Sequence, residues 1–110
     1  MSHKIDRETL KKKLDSNEDI KLVEVLMPKP FNQAHIKGAI NIPLNSIAKE
    51  ASGRFNKNDE IVVYCADTKC KASPAAAEKL ETFGFTNVHD YEGGKKDWME
   101  AGYPVEGNDV

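Results

Sequence analysis

The 110-residue sequence contains only two cysteines, no long hydrophobic run and no excess of basic residues. Because no apolar segment approaches the roughly 20 residues that span a bilayer, we expect no membrane association. The N-terminus has no apolar segment of the kind that directs secretion, so we expect a cytoplasmic protein. The 16 Lys and Arg residues against 18 Asp and Glu residues give a net charge of −2, which argues against nucleic acid as a partner.

Cys65 and Cys70 are too few for a disulfide-stabilised scaffold. In a compartment where thiols stay reduced, cysteines serve chemistry more often than cross-linking. The chain length supports one hydrophobic core, since two domains would each be too small to bury enough surface. We therefore predict a single domain over residues 1–110 whose cysteines have a chemical role.

Short apolar segments alternate with amphipathic segments, a pattern typical of an α/β fold. Apolar or β-branched residues predict strands at 20–26, 39–42, 61–65 and 88–91. Helices are predicted at about 7–16, near 31–35, from Ser73 onward and at about 95–101. The charged stretch 54–60 is predicted as a solvated loop, and the polar tail from about 106 as frayed. The alternation implies right-handed crossovers and a mainly parallel sheet with helices on both faces.

The helix after the cysteine-containing loop has recognisable end signals. Ser73–Pro74 predicts its start, with Ser as the N-cap and Pro at the first helical position. Ala76, Leu80 and Phe83 lie on one predicted face, which we expect to pack against the sheet. Gly84 is placed to end the helix in a left-handed conformation.

Cys65 ends the most apolar predicted strand and is followed by a loop and a helix N-terminus. Ligands of open parallel sheets bind beyond the carboxyl ends of the strands, and a helix start favours an anion. We therefore expect the pKa of the Cys65 thiol to lie below the free value of about 8.5. The amides of the following loop are expected to curl toward the sulfur and to bind a small anion or a persulfide. These candidate binding residues are Ala66, Asp67, Thr68, Lys69, Cys70 and Lys71. The alternative is that Cys65 is a buried structural residue.

Three ordered segments resemble the single-domain rhodaneses, and specifically a subgroup with a C-x₄-C loop. They are residues 34–43 (AHIKGAINIP), the strand 61–65 (IVVYC), and 91–105 with its YEGG, Trp98 and AGYPV elements. The similarity extends over about 22–106. It implies a small parallel sheet of about five strands, flanked by helices on both faces.

The resemblance also implies a function, a sulfurtransferase of the rhodanese type. Cys65 would take a sulfane sulfur from thiosulfate or a persulfide donor, become a persulfide, and pass the sulfur to a thiophilic acceptor. The donor would be a small sulfur-containing anion or a persulfide, and one possible acceptor is a protein. The resemblance implies neither a cofactor nor a metal.

The sequence departs from the family pattern at the end of the first buried strand. Members commonly have D-V-R there, whereas this chain has Glu24-Val25-Leu26, so the acid is kept and the arginine is lost. Lysines at 69 and 71 supply charge without the bidentate geometry of arginine. Thiosulfate is therefore expected to be a poor donor.

Cys70 leaves two interpretations open. It is a candidate resolving thiol, placed to form a disulfide with Cys65, or it is a passive loop residue. The corresponding alternative function is a dithiol redox sensor or interaction domain that uses both cysteines. A phosphatase-like reaction is disfavoured because position 71 is Lys, where an arginine clamp would be needed. His35 and Trp98 are interpreted as structural residues.

Overall fold

A parallel five-stranded sheet forms the centre of the computed structural model, which describes residues 3–110. The strands are β1 (His3–Lys4), β2 (Ile20–Glu24), β3 (His35–Ile36), β4 (Ile40–Asn41), β5 (Glu60–Tyr64), β6 (Val88–Tyr91) and β7 (Val105–Glu106). The strands of the main sheet have the order β1-β6-β5-β2-β4, and each strand is parallel to its neighbours in the sheet. β3 and β7 form a separate antiparallel pair.

Five α-helices cover the sheet within residues 3–110. They are α1 (Arg7–Asp15), α2 (Pro28–Gln33), α3 (Ile47–Arg54), α4 (Ala72–Thr82) and α5 (Gly94–Glu100). Along β5 the side chains alternate between two cores. Ile61 and Val63 pack in one cluster with α3 and α4, whereas Val62 and Tyr64 pack in the other with residues of α1 and α5. Because β5 is covered on both faces, its sequence is continuously apolar after Glu60.

The predicted α/β class, the parallel sheet of about five strands and the helices on both faces are confirmed. The strand predicted at 88–91 has the observed bounds, and the other predicted strands are shorter or shifted by one or two residues. The short helix predicted near 31–35 lies at Pro28–Gln33, because proline is tolerated in a first turn where no N–H is needed. The loop predicted at 54–60 lies between α3 and β5.

The predicted start and packing face of α4 are partly wrong. The helix begins at Ala72, with Lys71 at the N-cap position and no side-chain cap, so Ser73 is inside the helix and buried. Phe83 ends the helix and is 54% exposed, while Ala76, Ala77 and Leu80 form the buried face. The buried face therefore has an i, i+1, i+4 spacing, and Phe83 lies beyond it at the C-cap. Gly84 ends α4 with φ +95, as predicted.

Several parts of the fold were not predicted, including the short strands β1, β3 and β7. Helix α3 lies in a segment for which no element was predicted, although Ile47 and Ala51 have the i, i+4 spacing of a buried face. The tail from 106 is not frayed. Glu106 pairs with His35 in the antiparallel ladder, and the amides of Asn108 and Asp109 donate to backbone carbonyls of residues 32 and 33. These bonds depend on a partner about 70 residues away, which local sequence patterns do not reveal.

Gly94 brings the start of α5 against the chain that leaves β5. Its φ is +70, and a Cβ at this position would lie 2.6 Å from the carbonyl oxygen of Cys65 and 2.9 Å from the amide nitrogen of Asp67. Only glycine allows this approach, because both the backbone conformation and the available space exclude a side chain. Gly94 therefore holds α5 close to the segment that carries the cysteines.

We expect Gly94→Ala to lower the free energy of unfolding by about 2 kcal/mol or more, because it adds backbone strain and a steric clash. Urea denaturation measures the change. The matched control is Gly53→Ala in α3, where an added Cβ meets nothing within 4 Å. That variant should gain about 0.5–1 kcal/mol from helix propensity. Equal effects of the two substitutions would contradict the close approach at Gly94.

Candidate active site

Cys65 lies at the carboxyl end of β5, directly before the loop that leads to α4, as the sequence predicts. The structure places it in a disulfide with Cys70, with 6.3 Å between the two Cα atoms. This state differs from the free thiolate expected from the sequence. Cys65 is also nearly inaccessible, at 1% exposure, whereas Cys70 is half-buried. The accessible side of the pair is therefore Cys70.

Asp67 determines the shape of the loop between the two cysteines. Its Oδ1 accepts hydrogen bonds from the amides of Lys69 (2.9 Å) and Cys70 (3.2 Å), and its carbonyl oxygen also accepts from the Cys70 amide at 3.2 Å. The carboxylate thus closes an Asx turn that returns the chain toward Cys65. Two amides that were expected to face the sulfur are instead bound by Asp67. The expected cradle of loop amides is therefore only partly available.

The N-terminus of α4 supplies further donors next to this loop. Because no side chain caps the helix, the amides of Ala72 and Ser73 in its first turn have no intrahelical partner. The 11-residue helix contributes its positive dipole end at the same place. Lys69 and Lys71 are exposed in the loop. The charges and donors of this region favour an anion, opposed by the carboxylate of Asp67.

The backbone around Cys65 is fixed from the other side by α5. The amide of Lys95 donates to the carbonyl oxygen of Cys65, and the amide of Lys96 donates to that of Ala66, both at 2.9 Å. The Lys95 side chain extends to the end of β2 and to the segment at 30–34. Its Nζ donates to Glu24 Oε2 at 3.0 Å, to the Pro30 carbonyl at 3.0 Å, and to the Ala34 carbonyl.

Glu24 is fully buried, and its ion pair with Lys95 joins the end of β2 to the start of α5. Burial raises the pKa of the Glu24 carboxyl, while Lys95 and, more weakly, Tyr64 act to lower it. Tyr64 in turn accepts a hydrogen bond from the Ile36 amide, and burial raises the pKa of its phenol. These contacts connect the strand that carries Cys65 with the segment at 30–36.

An apolar groove lies beside the cysteine-containing loop. Leu26, Leu44 and Ala72 contribute to it and pack against the same core cluster as Cys65 and Cys70. Its volume is about 390 Å³, and its other lining residues are Val25, Met27, Asn45 and Lys79. Lys79 is the only charged side chain in this lining. Leu26 thus contributes apolar surface next to the candidate site.

A family model for the rhodanese-like domain matches residues 6–101, which is most of the chain. The chain belongs to the rhodanese-like domain family. It is 38% identical over 76 residues to the thiosulfate sulfurtransferase PspE of Escherichia coli K12, covering 68% of this chain and 70% of PspE. It is 34% identical over 94 residues to the YrkF protein of Bacillus subtilis 168, covering 86% of this chain. It spans only about half (49%) of the length of YrkF.

The fold is also that of solved rhodanese-like domains. The solution structure of the domain from the Alr3790 protein of Anabaena superimposes with a TM-score of 0.90 at 29% identity, covering 99% of this chain and 82% of the other. The resemblance stated from the sequence motifs is therefore confirmed at the level of family and fold.

Two residues of this rhodanese-like domain had been interpreted as structural, and their surroundings agree. His35 stacks on Phe31, with 3.9 Å between the ring centroids, and its Nδ1 lies 2.8 Å from the Phe31 carbonyl oxygen. Trp98 is buried, and its indole N–H donates to the Pro104 carbonyl. Within residues 3–110, no group of three or more His, Cys, Asp or Glu side chains is arranged to hold a metal ion.

Sequence reasoning missed Lys95 and the role of Asp67. Lys95 had no visible signal, because its partner Glu24 is 71 positions away along the chain. For Asp67 a sequence signal was present. An Asp in a short loop is typical of an Asx turn, in which its side chain accepts from amides two or three positions later.

We expect Lys95→Met to destabilise the protein by about 3–5 kcal/mol at neutral pH, because it leaves the buried Glu24 carboxylate without a counter-charge. Lys96→Met is the matched control, since Lys96 is exposed and forms no side-chain ion pair in the described residues. It should change stability by less than about 0.5 kcal/mol. Chemical denaturation of both variants measures the difference.

The loss in Lys95→Met should also depend on pH. Without the lysine, the strongest opposition to the effect of burial is gone, so the pKa of Glu24 rises further above the ordinary value of 4.5. The folded state then holds a proton that the unfolded state releases, so stability is highest below pH 4.5 and falls as pH rises through the raised pKa. Adding Glu24→Gln should remove this pH dependence. A pH-independent loss in the single variant would contradict the assignment to Glu24.

Proposed function

We propose that this rhodanese-like domain is a sulfurtransferase that carries sulfur as a Cys65 persulfide. The Cys65 thiolate attacks the outer sulfur of a donor, and the bond from that sulfur to the rest of the donor breaks. The donor leaves with the electron pair of that bond, and the transferred sulfur remains on Cys65. A thiophilic acceptor then attacks the outer sulfur and regenerates the Cys65 thiolate.

The observation that carries this proposal is the position of Cys65 at the carboxyl end of the central strand, directly before the loop that leads to the uncapped start of α4. Membership of the rhodanese-like family and the relatedness to a thiosulfate sulfurtransferase of Escherichia coli support sulfur transfer as the chemistry. Lys69 and Lys71, with the first-turn amides of α4, are the groups proposed to favour the anionic persulfide.

The proposed donor is an organic persulfide or a similar donor with an apolar part, in preference to thiosulfate. Leu26 and the apolar groove offer no bidentate cation beside the cysteines. A doubly charged inorganic donor gains little there, whereas an apolar substituent can bury surface against Leu26, Leu44 and Ala72. The acceptor is proposed to be a small thiol or a protein thiol in a reducing cytoplasm.

None of the helices in residues 3–110 has the length and apolar character needed to cross a bilayer.

Reduced protein incubated with an organic persulfide should take up one sulfur atom per chain, measured as one donor thiol released per chain and, in Cys70→Ser, as one added sulfur in the intact mass. Cys65→Ser should release no donor thiol and gain no sulfur, because it lacks the nucleophile. Prior reduction is needed because the disulfide blocks both thiols. Sulfur loading that persists in Cys65→Ser would contradict the proposal.

Leu26→Arg should raise kcat/KM for thiosulfate by about tenfold, because a charge-assisted hydrogen bond to the donor contributes about 1.5–3 kcal/mol. Most of the effect should appear as a lower KM. Leu26→Gln is the control, since it is polar and of similar length but uncharged, and it should leave the KM for thiosulfate nearly unchanged. Equal activation by both substitutions would show that lost apolar surface, not gained charge, controls donor choice.

A dithiol redox sensor is the second candidate function, and the Cys65–Cys70 disulfide favours it. A sensor would form this disulfide with an external oxidant such as a peroxide and would not load sulfur from a donor. The mass experiment separates the two functions. A loss of two hydrogens under mild peroxide, with no thiol released from a persulfide donor and no sulfur gained by Cys70→Ser, would favour the sensor.

A further inference from the structure

We propose that Cys70 is the internal acceptor of the sulfur carried by Cys65, so that the domain releases sulfide from a sulfane-sulfur donor. The inference rests on the proposed loading of Cys65. It assigns a second reaction to the same loop, one that ends in the disulfide seen in the structure.

The first support is the reach between the two cysteines. Their Cα atoms are 6.3 Å apart, within the range of about 4.4–6.8 Å that a disulfide requires. Five positions separate them along the chain, so the closed ring is short. The loop therefore closes the disulfide at an ordinary Cα separation.

The second support is that the loop has this shape independently of the sulfur–sulfur bond. The two hydrogen bonds to Asp67 Oδ1 and the bond from the Cys70 amide to the Asp67 carbonyl involve no sulfur atom. Cys70 also packs against the core cluster that contains Cys65. On the other side, the Lys95 amide holds the Cys65 carbonyl. Both cysteines are thus expected to stay adjacent when both are reduced.

The third support is the unequal burial of the two sulfurs. Cys65 is 1% exposed and Cys70 is half-buried beside it, so Cys70 is the thiol placed to attack Cys65 Sγ, whereas an external acceptor attacks the outer sulfur of the persulfide. Groups held close by a short linker have effective concentrations in the millimolar range or higher. Attack by Cys70 is therefore expected to outcompete attack by an external acceptor at micromolar concentration.

The step balances without an external oxidant. The Cys70 thiolate attacks the Cys65 Sγ of the persulfide, the Cys65 Sγ–Cys70 Sγ bond forms, and the bond to the outer sulfur breaks. The persulfide reacts in its protonated form, so its outer sulfur keeps that proton and leaves with the electron pair as hydrosulfide, while the proton of the Cys70 thiol goes to solvent. The sulfane sulfur is reduced by two electrons, and the cysteine pair is oxidised to the disulfide. A dithiol reductant then reduces the disulfide through the more accessible Cys70 and becomes a disulfide itself.

A single-turnover experiment under anaerobic conditions tests the proposal. Reduced protein, freed of reductant, is mixed with thiosulfate or with an aromatic thiosulfonate. Sulfite or sulfinate measures loading of Cys65, and sulfide measures the second step. The wild type should release one sulfide for each sulfite or sulfinate, and its mass should fall by two hydrogens with no sulfur retained.

Cys70→Ser should load normally but release no sulfide, and its mass should keep one added sulfur. Cys65→Ser should release neither product. Loading in the wild type with sulfur retained on the protein and no sulfide would overturn the internal-acceptor role while leaving the proposed function intact. A persulfide found on Cys70, by peptide mass analysis, would also overturn it, because attack would then occur at the outer sulfur. Absence of sulfite and sulfinate with both donors would overturn the proposed function itself, and the inference with it.

Discussion

The position of the Cys65 backbone is the constraint on which the rest of the site depends. β5 is buried on both faces, so the chain leaves the sheet at one fixed point. There, the first amides of α5 donate to the carbonyls of Cys65 and Ala66, and Gly94 allows the close approach. Because a parallel sheet directs its strand ends to one edge, the loops that follow β2, β4 and β5 meet around this cysteine.

The buried ion pair of Glu24 and Lys95 helps to fix the segments that surround the end of β5. It ties the end of β2 to the start of α5, and Lys95 also binds the carbonyls of Pro30 and Ala34. A buried pair of this kind adds little net stability, but breaking it is costly. Its contribution is therefore geometric, since it holds three segments in register around the end of β5.

Much of the fold follows from the sequence for local reasons. The apolar run of β5 predicts a central strand, Gly84 predicts the end of α4, and the segments at 34–43 and 91–105 predict the family. The start of α4 was misplaced because Ser73 and Pro74 are also compatible with the second and third helical positions. Helix α3 and the pairing of Glu106 with His35 were missed, since weak local signals become decisive only when a distant partner is present.

The sequence by itself determined the α/β class, the family and the placement of Cys65 between a strand and a helix, because these depend on periodicity and on contiguous motifs. Only the tertiary structure decided that Cys70 lies against Cys65, that Asp67 takes two of the loop amides, and that Lys95 neutralises Glu24. Such contacts depend on how the loop closes and on which segments meet in space. Neither property is encoded in the spacing of residues along the chain.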